Sequence, residues 1–200
     1  MRIMSCCIGY VTDHSSSTYE FYSLDRLTKE QKEAVERLTG QQPRGRNIGF
    51  KYWGDFQDIP SVWVEKLLRD PYDIMVSESY DWWSTEMSLP YDEDLLAKLK
   101  HYECEYNSCG FWIRRMDDKT LLSFGYQLEY EAAFDALGEN PFHGLADLFE
   151  EIRDGILAGD FSALRVIHEC YGGYADELEE EESGPLSESA ETLNYILFVH

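Results

Sequence analysis

Residues 18–24 read Thr-Tyr-Glu-Phe-Tyr-Ser-Leu, aromatic and alternating in character, which predicts a half-buried strand closed by Asp25-Arg26. The period turns helical at Thr28. Thr28 and Gln31 have capping-box spacing, Val35 and Leu38 share one side, Lys29, Glu30, Lys32 and Glu33 share the other, and Gly40 ends the run. After a loop over 41–46, residues 47–53 predict a second strand. Asp58 before Pro60 marks a helix start, with Val62, Val64, Leu67 and Leu68 as its apolar side and Asp70-Pro71 as its stop. Strands are expected over 72–76 and 85–89, and a short helix over 92–99. The clearest hairpin signal is the pair 110–116 and 120–126 around a polar Asp117-Asp118-Lys119.

Beyond Tyr126 the alternation fades. Leu145, Leu148, Phe149, Ile152, Ile156 and Leu157 recur at helical spacing, and Asp160 is placed to cap a second helix carrying Phe161, Leu164, Ile167 and His168. An acidic block follows at 176–182, then a last helical pattern over 187–199 with Leu193, Ile196 and Leu197 as its docking side. Strands first and helices later predict an α+β fold: a mostly antiparallel sheet with packed helices in the N-terminal two thirds and a helical C-terminal third. The expected organisation is one domain over 1–175, an acidic linker over 176–186 and a C-terminal helix over 187–200 docked on the domain.

Two hundred residues suffice for a core without disulfide or metal staples, since a chain of this size buries roughly 70% of its unfolded surface. Five cysteines without framework spacing suit a reducing compartment, and neither a secretory leader nor a membrane span is legible, so the expected location is the cytoplasm. The net charge is −22 and unevenly spread: residues 120–200 hold eighteen acidic side chains against Arg153 and Arg165. Such a field repels phosphate backbones and attracts basic surfaces, which argues against direct nucleic acid binding.

Few constellations carry chemistry. His101, Cys104 and Cys109, with His168 and Cys170 elsewhere, are possible zinc ligands, but no Cys-x2-Cys pair exists and cysteine is commonly a small buried hydrophobe. No nucleophile elbow or phosphate-cradling glycine loop is present, so neither a cofactor nor a metal is expected. Among many carboxylates, Asp55 and Asp81 stand out because each adjoins tryptophan, Trp53 and Trp82 among them. The bland alternative has each aspartate fixing a turn while its indole packs into the core. Glu179, Glu180, Glu181 and Glu182 in the acidic block are candidate docking residues for a basic partner.

The order Tyr19-Glu20-Phe21, Leu24-Asp25-Arg26 and Leu27-Thr28, then Tyr52-Trp53-Gly54-Asp55-Phe56, then Leu157 to Leu164 around Gly159-Asp160, resembles an uncharacterised bacterial family with Y-E-F…D-R…L-T, W-G-D-F and L-x-x-G-D-x-x-A-L segments. The likeness spans most of 18–199 and implies a shared fold more than a function. The family's proline after Asp-Arg is missing, and Tyr80-Asp81-Trp82-Trp83-Ser84 replaces its Asn-Trp-Gly-Thr-like stretch.

The chain therefore reads as a non-enzymatic protein-binding or regulatory accessory protein whose acidic surface meets a basic partner, with a bacterial defence or stress system as a fitting setting. Two rivals stand beside it. The acidic surface could mimic a phosphate backbone and occupy a nucleic-acid-binding protein, or a tryptophan-lined carboxylate site could belong to an enzyme.

Overall fold

A computed structural model describes residues 16–53, 58–79, 82–128, 130–172 and 184–198. Seven strands form one sheet: β1 (Ser16–Tyr22), β2 (Asn47–Trp53), β3 (Ile74–Ser79), β4 (Trp82–Pro90), β5 (Cys104–Tyr106), β6 (Cys109–Met116) and β7 (Lys119–Tyr126). Their order across the sheet is β2-β1-β3-β4-β7-β6-β5, with every neighbouring pair antiparallel. The helices are α1 (Lys29–Thr39), α2 (Ser61–Arg69), α3 (Glu93–Leu99), α4 (Tyr130–Leu137), α5 (Pro141–Ala158), α6 (Ser162–Tyr171) and α7 (Glu188–Phe198). The architecture is α+β, with the sheet in the N-terminal two thirds and helices at the C-terminal end.

Strand alternation gives the sheet two faces of different character. One carries Ile74, Val76, Trp83, Met87, Leu89, Phe111, Leu122, Phe124 and Tyr126, all buried, and α3 to α7 cover it. Phe149 of α5 anchors this layer: its ring stacks on Tyr126 at 6.0 Å and meets Phe124 edge-on at 5.0 Å, while Phe142 lies 4.9 Å from Trp83. The last helix, α7, buries Ala190, Leu193, Ile196 and Leu197 in the same core. On the other face, Tyr19, Phe21, Ile48, Phe50, Met75, Met116 and Leu121 pack beneath Val35 of α1 and Leu67 and Leu68 of α2. Those two helices roof only part of it.

Local chemistry fixes the element ends. The Thr28 hydroxyl accepts from Gln31 N at 3.2 Å and Gln31 Oε1 accepts from Thr28 N at 2.9 Å, completing the capping box, and Gly40 supplies the left-handed residue (φ 75°) that ends α1. Asp92 caps α3 through Leu95 N, and Asn140 caps α5 through His143 N. Asp160 Oδ1 accepts from Ser162 N at 2.9 Å at the entry to α6.

Several sequence expectations change. The central strands are longer than 72–76 and 85–89: β3 runs on through Ser77 to Ser79, and β4 starts at Trp82. Polar residues there face a cavity, so their polarity does not end the strands. The hairpin turn is Asp117-Asp118 alone, with Asp117 in the left-handed region (φ 46°) and Lys119 the first residue of β7. The edge strand β5 and helix α4 were not legible. Leu157 is exposed, not part of the inward face of α5. Asp58 does not cap α2, whose cap is Pro60. Asp55, Asp81 and the acidic block at 176–182 lie outside the described residues. Among the described residues no helix is long and apolar enough to cross a membrane.

Candidate functional site

The pairing register aligns side chains on the partly roofed face in rows across the strands. One row is Tyr19, Ser77, Ser84, Gly125 and Gly110; the next is Phe21, Met75, Glu86, Ser123 and Trp112. The first thus runs from an aromatic through two serines to two glycines, and the second places a carboxylate in mid-sheet. Where α2 stops covering this floor, a cavity of about 660 Å³ opens, walled by Ile59, Val64, Trp82, Trp112 and Arg114. That volume falls in the range of small-molecule sites, about 300–1,000 Å³.

The floor is polar and largely satisfied from within. Ser77 and Ser84 hydroxyls lie 2.8 Å apart across β3 and β4, and Ser17 and Ser79 lie 2.7 Å apart across β1 and β3. In each pair one hydroxyl donates to the other, so the serines brace neighbouring strands. Tyr19 OH donates to Asp58 Oδ1, and burial, reinforced by the Asp58 carboxylate, pushes the phenol well above its usual range. Glu65 of α2 pairs with Arg69 at 3.3 Å.

Glu86 is different. Its Oε2 is closed off from solvent and accepts no hydrogen bond. Burial pushes its carboxyl above the usual carboxylate range, and the positive charge of Arg114, two strands away, works in the opposite direction. No salt bridge joins the two groups. Lys119, the other cation on this face, is committed elsewhere: its Nζ donates to the Leu68 carbonyl at 3.1 Å and to Ser88 Oγ at 3.3 Å.

Gly125 shapes the wall. A Cβ there would stand 2.9 Å from the Ser108 carbonyl and 3.1–3.2 Å from the six-membered ring of Trp112. Lacking one, β7 lets the indole lie close against its backbone, and Trp112 Nε1 donates to Glu105 Oε2 at 3.4 Å.

Of the residues singled out from sequence, Trp82 lines the cavity and Trp53 does not. Trp53 lies on edge strand β2 with Lys51 Nζ 4.2 Å from its ring centroid. At 58% and 41% exposed, neither Trp53 nor Trp82 is a core residue, contrary to the bland expectation; the buried tryptophan is Trp83. Asp55, Asp81, Glu179, Glu180, Glu181 and Glu182 are outside the described residues. Glu86, Arg114, Asp58 and the serines were missed. Their signal was available: Ser77 and Ser79, then Ser84, Glu86 and Ser88, form a polar period-two stripe beside Val76, Thr85 and Met87.

Among the described residues no group of three or more His, Cys, Asp or Glu could hold a metal ion. Cys104, Cys109 and Cys170 are free thiols, pushed above their usual range by burial, and His101 lies edge-on to Tyr102. No described histidine lines the cavity, and two of its serines, Ser77 and Ser84, are hydrogen-bonded to each other. No protein-family model, curated protein or solved structure matches the chain, so the likeness to an uncharacterised bacterial family rests on its three segments alone.

Proposed function

We propose that this is a binding protein that holds a small polar ligand in the serine-floored cavity. The observation that carries the reading is Glu86, whose Oε2 is buried without a donor among the described residues, on a side chain that borders an open cavity. Leaving a buried polar atom unpaired costs about 1–3 kcal/mol, so a fold that keeps one beside a cavity gains by meeting a donor there. The test is a thermal-shift screen of the full chain against a metabolite library, followed by calorimetry on each hit. Ligands that raise the melting temperature, quench tryptophan emission and lose affinity in Ser84→Val support the reading. A screen in which every stabilising compound acts equally on Ser84→Val overturns it.

A second reading concerns the outer helices and keeps the expected basic partner. Asp135, Glu139, Glu151, Asp154, Glu188 and Glu191 are exposed there. The two arginines of this region face inward: each side chain is 13% exposed, Arg153 Nε donates to the Ser88 carbonyl at 3.1 Å, and Arg165 donates to the Gly184 carbonyl at 2.6 Å. Their charges do little to offset the field presented to a partner, which favours a protein with a basic surface, as an accessory or regulatory component. Capture of the tagged chain from its native lysate at low and high salt tests this. A stoichiometric partner released by salt supports it, and empty capture at both salts removes it.

A further inference from the structure

The cavity's charge pattern bears on what it holds. Among the described residues three carboxylates border it, and two already have partners: Asp58 accepts from Tyr19, and Glu65 pairs with Arg69 at 3.3 Å. Among these three, only Glu86 has a buried oxygen with no donor. The Ser77 and Ser84 hydroxyls, 2.8 Å apart, share one hydrogen bond, which leaves a single O–H of the pair free to donate. Two indoles, Trp82 and Trp112, stand in the wall with Ile59 and Val64. Indole faces attract cations, and a protein of net charge −22 concentrates them at its surface.

Resting on the reading of this cavity as a ligand site, we infer that its ligand is a small organic cation, an ammonium-bearing molecule whose positive end pairs with Glu86 and whose carbon skeleton lies against Trp82 and Trp112. The Glu86 side chain borders the cavity, so a turn of its carboxylate brings the unpaired oxygen to the cation, and a carboxylate with aromatic faces replaces lost hydration. Arg114 opposes such a ligand, but it stands at the exposed rim, where solvent screens its charge, while Glu86 lies deeper. Among the described residues the remaining ionisable groups bordering the cavity are Tyr19, Asp58 and Glu65, none of them cationic. An anionic ligand would meet one screened guanidinium against three carboxylates.

The experiment is calorimetry and tryptophan fluorescence on the full chain with choline, ethanolamine and free lysine as cations, glucose and inosine as neutral probes, and succinate as the anion. At least one cation is expected to bind saturably and quench the emission. Glu86→Gln should weaken it about 10–100-fold, the loss of one charge-assisted contact, and Arg114→Gln should tighten it severalfold. These opposite signs separate the inference from general damage to the fold, and Arg114 is exposed enough for its replacement to fold. Cation binding that ignores both substitutions in folded variants is surface attraction and overturns the inference. Glucose, inosine or succinate binding in preference to every cation overturns the ligand class and leaves the cavity reading standing. Silence from all six probes, with no stabilising compound in the library screen, overturns both.

Discussion

At Glu86 a carboxylate stands where a strand centre usually holds an apolar or hydroxyl side chain, with Met75 and Ser123 as its cross-strand neighbours. Burial raises its pKa, so the folded state binds its proton more readily than the unfolded chain. Below the ordinary carboxylate pKa both states are protonated and nothing is lost. As pH rises through the native value, ionising the buried group costs stability. Glu86→Gln is therefore expected to stabilise the protein at pH 7–8 by about 1 kcal/mol, or about 2–4 °C for a chain of this size, with the gain disappearing near pH 4. Calorimetric melts across that range check the sign. Gly125→Ala should act oppositely. Its methyl group would press on the Ser108 carbonyl and Trp112, at an overpacking cost of about 1–3 kcal/mol, with a visible change in tryptophan emission. Neither residue was legible as important in the sequence. A glutamate between serines reads as solvent-facing polarity until the pairing register shows which side chains share its face.

Among the elements, helix ends were the most legible because their chemistry is local. The Thr28 and Gln31 exchange spans three residues, and the structure contains both of its hydrogen bonds. Thr28→Ala should cost about 1 kcal/mol, measured by urea denaturation, with little change in the slope. The inward face of α5 was equally legible except at its end, where Ile156 is buried and Leu157, the next residue, turns outward. Phe149→Ala should cost about 3–5 kcal/mol, since its ring contacts both Phe124 and Tyr126. Strand ends were less legible because a strand's length is set by its partners. Ser77 and Ser79 remain in β3 because β1 and β4 pair with them, and three-residue β5 exists only as the edge beside β6. No window of local sequence contains those partners.

Across the whole molecule, charge works against compactness. The described salt bridges are few and mostly between exposed groups such as Lys29 with Glu33 and Arg37 with Glu33, contacts worth little in water. Self-repulsion from a net charge of −22 outweighs them. Raising NaCl from about 10 mM to about 200 mM, which shortens the screening length from about 30 Å to under 10 Å, should therefore raise the melting temperature. A decrease would mean that specific ion pairs dominate. The α+β class was legible from the order of patterns, whereas the cavity was not, because it arises from incomplete roofing of one sheet face by α1 and α2.

The strand order also has a kinetic consequence. β3 with β4 and β6 with β7 are hairpins between chain neighbours, but β4 and β7 are separated along the chain by α3, β5 and β6. Glu86 and Ser123 face each other across that long-range seam, so the cavity belongs to neither hairpin alone. A molecule bound there would clasp the two halves after they have joined. In stopped-flow experiments it should slow unfolding while leaving the refolding rate nearly unchanged.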